Sequence, residues 1–299
     1  MAHQPPPIPP SSPRTRADAS DSPAPEPCPE AAPYPSQALG RGLLYFAGET
    51  TSVLDESWKL IARGIFPEFS SLLAKSQTQG RGRMGRVWLS PPGNVYASLR
   101  LPLSPPFNGT LASISFALLM ALSLREMTGL PLEIKWPNDL IYLRRKVGGL
   151  LLENRGSALV AGVGLNLKIP SPAPARLPGA PPPGSLPWPP EGPAGGPEGL
   201  WRSLLIDLPL RYNSWSGMDP TSLEGLILTE AERLLHGLGD TCEILESAPM
   251  SLSPTRPPLR GTLEGLDPSG ALRLKTPQGV KAVWSGALTF PFAPPPQDP

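Results

Sequence analysis

The sequence predicts an α+β fold: a body of short strands and a few helices, then a small β-barrel toward the C-terminus. Three observations point there. Between residues 41 and 236, apolar runs of strand length interleave with stretches of helical periodicity. After Gly237 only short strand-like runs remain. Proline, 45 of 299 residues, is gathered rather than spread: residues 1–37 hold 12 and residues 170–197 another 12. Each proline removes an amide donor and blocks the preceding turn, so these segments stand apart from strands and helices. The expected organisation is a Pro-rich disordered tail (1–40), a body (41–236) with a flexible Pro-rich surface insertion (170–197), and a C-terminal unit (237–295).

The elements follow in order. In the tail, PPPIPP favours extended polyproline; a solvated tail and a ligand for a PxxP-binding module are both open. LLYFA, from Leu43, reads as a buried strand. Thr51 or Ser52 can cap a helix in which Leu54, Trp58 and Ile61 recur, and Gly64 ends it. Gln77 to Asn94 is basic and glycine-rich, without apolar periodicity. VYASLRL (95–101) is a strand, and Thr110 to Met127 a helix apolar on nearly all faces, hence buried. EIKW, LIYL, GLLLE and ALVAGVGLNL read as successive short strands. Helices follow at 199–215 and 221–236, the first kinked or broken at Pro209. Strands are expected at 241–246, 259–267, 270–276, 279–284 and 287–290, with hairpin chemistry in the turn Asp267 to Gly270.

Composition excludes several classes. Lys+Arg 26 against Asp+Glu 25 leaves a formal charge of +1, so there is no chain-wide basic surface for nucleic acid. Two distant cysteines, Cys28 in the first Pro-rich segment and Cys242, imply no disulfide framework or metal cluster, and His3 and His236 alone make no zinc or catalytic histidine cluster. The N-terminus lacks an apolar h-region and carries Asp18, Asp21, Glu26 and Glu30, unlike a signal peptide. The longest apolar stretch, Leu111 to Leu124, is shorter than the ~20 residues a bilayer needs. A cytoplasmic protein without membrane partners is expected.

Three clusters carry chemistry. Gly80 to Arg86 (GRGRMGR), flanked by Gln77 and Trp88, combines glycines that allow close backbone approach with arginine forks suited to carboxylate or phosphate. It reads as an anion-binding loop, a solvated basic loop or a nucleic-acid-binding RGR patch. Lys135 to Asp139 (KWPND) precedes Lys146-Val147-Gly148-Gly149. Lys135 sits at a strand end, Pro137 forces a turn, and Asn138 and Asp139 can bond back to the backbone; a hairpin with ordinary lysines is the alternative. In Gly162 to Leu167 (GVGLNL), strand glycines mark close approach to a ligand or to a helix, and Asn166 offers donor and acceptor.

QTQGRGRMGRVWLSPPGN, KWPNDLIYLRRKVGGLLLE and GVGLNL occur in the order and spacing of the biotin protein ligases. The resemblance is strong over residues 43–168 and extends into RGTLEGLDPSGALRL and WSGALTF, similar to that family's small SH3-like domain. It implies a mixed-sheet catalytic domain like that of class II aminoacyl-tRNA synthetases. It implies that biotin and ATP form biotinyl-5′-AMP with release of pyrophosphate. Biotin then passes to a lysine of a biotin carboxyl carrier domain. By motif position, Thr50, Thr51 and Ser52 resemble a Ser-Thr-Asn biotin-contacting turn, with Ser52 replacing an amide. Gln77 and Arg81, Gly82 and Arg83 match the biotin and adenylate loop. Lys146 matches the lysine reaching the biotin carboxylate and α-phosphate, and Arg86, Trp88, Gly164 and Asn166 fall where the nucleotide is held.

The chemistry required agrees. Bringing a carboxylate to a phosphate opposes two anions, so cationic donors are needed, with Arg81, Arg83 and Lys146 as candidates. Mg²⁺ is expected through the phosphates, with no protein ligand assigned. Asp139 is expected either to orient or deprotonate the acceptor lysine, or to hold its own turn. A lipoate or octanoate ligase is the nearest alternative, but the Arg-Arg-x-Ser-Gly-Gly-Gly loop of that family is absent. A DNA-binding repressor is disfavoured because prolines break every candidate helix in residues 1–40. A non-catalytic Pro-rich scaffold is the third reading, and a homodimer is left open.

Overall fold

Residues 33–171, 177–190, 195–245 and 257–291 are described by the computed structural model. The expectations for residues 1–32, Cys28 included, lie outside them. Two strands open the body, β1 (Ser36–Leu39) and β2 (Gly42–Thr50). Helix α1 (Val53–Ala62), β3 (Ser71–Gln77), β4 (Val95–Leu101) and helix α2 (Ala112–Thr128) follow. Then come β5 (Glu133–Lys135), β6 (Asp139–Tyr142), β7 (Arg145–Arg155) and β8 (Ala158–Leu165). Helices α3 (Gly196–Ser216) and α4 (Pro220–Arg233) lead to β9 (Thr241–Leu245), β10 (Leu259–Leu266), β11 (Leu272–Thr276), β12 (Gly279–Val283) and β13 (Ala287–Thr289).

β1 to β8 form one mixed sheet in the order β1-β2-β3-β4-β8-β7-β6-β5, with β2 and β3 parallel and the other neighbours antiparallel. Successive strand residues face opposite sides of a sheet. Tyr45 and Leu72 accordingly bury with Val53 and Leu60 of α1, while Leu44 and Leu73 join the cluster that holds α2, α3 and α4. β8 is buried along its whole length: Ala158 and Val160 pack with Leu54 and Trp58 of α1, while Leu159, Ala161, Val163 and Leu165 join the larger cluster. The C-terminal strands form a separate antiparallel sheet, β12-β11-β10-β9-β13. Asp267 Oδ1 closes the expected β10–β11 turn, accepting from the amides of Ser269 and Ala271 at 2.8 and 3.0 Å. Trp136 Nε1 donates to Gly270 O at 2.9 Å, joining the KWPND motif to that turn.

Several expectations are corrected. Ser36–Leu39, inside the segment read as a tail, pairs with β2 as a hairpin turning at Gly40, whose φ of 58° suits glycine. β3 falls in a stretch that the local pattern does not mark. Pro209 does not break α3, which runs on as one helix. Leu200, Trp201, Leu204, Leu205, Leu208 and Tyr212 are buried along it, and that packing outweighs one missing hydrogen bond. The α1 cap is not a hydroxyl: Val53 N donates to Gln77 Oε1 at 2.9 Å.

The insertion differs from a loose surface excursion over 177–190. Lys146 N donates to Pro182 O at 2.7 Å, Gly184 N to Lys146 O at 2.8 Å, and Leu186 N to Asn166 O at 2.7 Å. Leu177 and Leu186 are buried, and Gly179 O accepts from Phe290 N of the C-terminal sheet. Prolines lack amides but keep carbonyls, so such a segment can still be stitched to a neighbour through its other residues.

Candidate active site

A cavity of about 460 Å³ opens at the ends of β3, β7 and β8, roofed by the Arg-Gly loop. That size lies within the ~300–1,000 Å³ of small-molecule sites. Its lining brings together Ser52, Gln77, Arg81 to Trp88, Lys135 to Asp139, Lys146, Gly164 and Asn166. Pro181 and Pro183 of the insertion and Gly286 to Thr289 of the C-terminal sheet complete the wall. Thr50 and Thr51 are not part of the lining. Their carbonyls accept the amides of Thr78 and Gln79 at 2.9 and 2.8 Å, which leaves Ser52 as the turn's contribution. Gln77 lines the cavity with its amide engaged, Oε1 by α1 and Nε2 by Ser90 Oγ at 2.9 Å.

The loop is folded back on itself. Trp88 N donates to Gly80 O at 2.8 Å and Gly82 N to Arg86 O at 2.7 Å, around a turn at Met84 and Gly85, both at positive φ. Gly80 is required by space, since a Cβ there would lie 2.4 Å from Trp88 O. Arg81 does not point a free fork into the cavity as expected: Asp55 and Glu153 hold its guanidinium. Arg83 lies across the cavity against KWPND, 3.4 Å from Asn138 Oδ1 and 5.9 Å from the Trp136 ring centre. Burial, aided by the neighbouring Arg86 charge, pushes the Arg83 guanidinium down, with Asp139 opposing.

The second cationic group is built by register. Asp139 opens β6 and pairs with Gly149 of β7, which places Lys146 beside it across the bulged hairpin. Lys146 Nζ lies 2.6 Å from Asp139 Oδ1, and Lys135 Nζ lies 3.4 Å from Asp139 Oδ2. One carboxylate therefore stands between two ammonium groups. Burial raises the Asp139 pKa, but the charges of Lys146 and Lys135 outweigh it and hold the carboxyl below its usual range. Burial holds the Lys135 ammonium below its usual range despite Asp139. Lys135 is the site residue that the sequence-based role assignments omit; its place after the apolar Ile134 was the available signal.

The strand glycines are explained by Trp88. Gly149 and Gly164 are register partners, and a Cβ on either would meet the Trp88 ring, at 2.8 and 2.5 Å. Lys146 Nζ is 5.2 Å from the centre of that ring. Gly162 instead makes room for Leu54 of α1. Asn166 is buried and donates Nδ2 to Gly184 O at 3.1 Å, so it ties down the insertion.

A mixed sheet carrying a Gly-Arg loop over a lysine-flanked cavity defines a class: residues 66–169 match the model of the biotin/lipoate A/B protein ligase family. The chain is 33% identical to the biotin–[acetyl-CoA-carboxylase] ligase of Paracoccus denitrificans, over 73% of this chain and 89% of that protein. It is 28% identical to the bifunctional ligase/repressor BirA of Bacillus subtilis, over 85% of this chain and 75% of that one. The biotin protein ligase of Aquifex aeolicus, solved in complex with biotin and ATP, superposes with a TM-score of 0.62. That match has 24% identity and covers 82% of this chain and 97% of the other, a likeness of fold. The chain belongs to the biotin protein ligase family.

Proposed function

We propose that this protein is an ATP-dependent biotin protein ligase. It joins biotin to ATP as biotinyl-5′-AMP, releases pyrophosphate, and passes biotin to a lysine of a biotin carboxyl carrier domain. The observation that carries the reading is the Lys135–Asp139–Lys146 trio facing the Arg-Gly loop across one cavity. Attack of a carboxylate on the α-phosphate concentrates negative charge on the phosphoryl oxygens. Preorganised cations reward that charge most in the transition state. Lys146 and Arg83 are the groups for this task. Asp139 holds both lysines in place; its depressed pKa makes it a better orienter than a proton acceptor. Apolar walls such as Leu54 and Val163 suit biotin's fused rings and chain, with Ser52 Oγ beside them for the ureido group.

Among the described residues no cluster of His, Cys, Asp or Glu could hold a metal, and the cavity's acid, Asp139, is taken by lysines. Magnesium therefore fits as part of the MgATP substrate, carried by phosphate oxygens. Trp88, Gly164, Arg86 and Asn166 form the side assigned to the nucleotide, and the Arg-Gly loop is the cover that keeps water from the mixed anhydride. The C-terminal sheet is read as an SH3-like barrel. No helix among the described residues is long and apolar enough to cross a membrane; the cytoplasm, where ATP is abundant, is the compartment proposed for the reaction.

The test is exchange of labelled pyrophosphate into ATP, run with biotin and separately with lipoate. Transfer to a carrier domain is then followed by mass spectrometry. Biotin-dependent exchange and one biotin added to the carrier are expected. Exchange driven by lipoate instead would select the lipoate ligase reading.

A further inference from the structure

Arg81 is held more completely than a ligand-binding arginine could be. Its Nε and Nη2 donate to Glu153 Oε1 at 3.0 and 2.9 Å. Nη1 and Nη2 donate to the two oxygens of Asp55 at 2.8 Å each, and Nη1 reaches Ser52 Oγ at 3.4 Å. Every N–H of the fork is spent, so none is left for a substrate anion. Both acids stand on rigid elements: Asp55 in the first turn of α1, Glu153 on β7. Glu153 is itself fixed, its Oε2 accepting from Trp58 Nε1 at 2.9 Å and from Arg155 at 3.2 Å. The bidentate contact with Arg81 holds the Asp55 carboxyl below its usual range.

We infer that Asp55 and Glu153 are positioning residues for the Arg-Gly loop. By consuming Arg81 they fasten the loop's first limb, Gly80 to Gly82, to α1 and β7. The turn beyond it, Arg83 to Arg86, is left to meet the substrates. Arg81 is then an anchor, and the anions face Arg83 and Lys146. The opposite reading, in which the acids merely restrain an anion-binding Arg81, predicts an effect of opposite sign when an acid is neutralised.

The test uses Glu153→Gln and Asp55→Asn, which keep shape and remove charge. Its kinetic arm rests on the biotin adenylation proposed above. If the acids position the loop, KM for biotin in pyrophosphate exchange rises about tenfold while kcat is nearly unchanged. Trypsin cuts after Arg83 and Arg86, mapped by mass spectrometry, also become faster at an unchanged melting temperature. An unchanged or lowered KM, or unchanged cleavage, overturns the inference. The protease arm needs no turnover, so it separates failure here from failure of the ligase reading. Should neither variant fold, the parent chain still decides. Loop cleavage must accelerate between low and ~1 M salt as screening weakens the half-exposed pairs, and cleavage indifferent to salt refutes the anchor.

Discussion

Two sides of one cavity use the same chemistry in opposite proportion. At α1, one guanidinium stands between two carboxylates; at the KWPND hairpin, one carboxylate stands between two ammonium groups. The first trio sums to one negative charge, which Arg155 beside Glu153 offsets, and the second to one positive charge, with Arg83 beside it. Both satisfy their charges locally, so neither leaves a bare buried ion. Only the second has cation to spare. On the proposed reading an anionic substrate is drawn toward KWPND, while the α1 side holds a loop. The motif GRGRMGR is uniform in sequence, yet its arginines divide between these tasks because they face different partners.

The largest way to break this comparison is Asp139→Ala. It leaves two ammonium groups together, one of them buried, and should cost about 3–5 kcal/mol in denaturant unfolding at neutral pH. Lys135 already has a folded pKa below its unfolded value, so the fold gains stability as pH rises between the two. The deficit should therefore shrink toward the lysine range; a deficit flat with pH would separate Lys135 from Asp139. In the parent, Asp139 acts in the other sense. Its folded pKa is depressed, so its contribution is present above the ordinary carboxylate value (~3.9) and lost only as pH falls through the lower folded value. Acid titration of the melting temperature in parent and variant reads that difference.

Lys146→Ala addresses the spare cation. Loss of pyrophosphate exchange by about 10²–10³ is expected, by analogy with removal of an oxyanion donor. The circular dichroism should be unchanged. Exchange at the parent rate would remove the distinction between the two sides. Gly164→Ala sharpens the nucleotide side. Its Cβ would lie 2.5 Å from the Trp88 ring, so the indole must shift, at about 1–3 kcal/mol of overpacking. A change in tryptophan emission should accompany the loss. The smallest effect is expected from Trp136→Phe, which removes the bond to Gly270 O and keeps the ring near Arg83. About 0.5–1.5 kcal/mol is expected by thermal unfolding.

Much of the fold was readable where structure is local. The buried helix at 112–128, the strand at 95–101 and the turn after Asp267 were each written in period, apolar run or side-chain chemistry. β3 was missed because SLLAKSQ mixes apolar and polar residues without clear alternation, and parallel pairing with β2 decides it. Pro209 misled because local chemistry opposes the helix that burial maintains. At the site, the three motifs were visible and most of their residues do meet in one cavity. The engagement of Arg81 and the seat of Trp88 were not visible. Each depends on a partner far along the chain: Asp55 and Glu153 for Arg81, Gly149 and Gly164 for Trp88.

Residue chemistry and spacing alone mark the groups that the proposed reaction draws on: a glycine-arginine loop, two lysines flanking an aspartate, and strands carrying glycines. They mark them because motif order and secondary-structure period are properties of the chain. Which arginine anchors, which lysine is buried, and where a proline-rich segment is stitched down follow from sheet register and helix packing. Those bring residues scores of positions apart to hydrogen-bond distance, and charge pairing acts only across space.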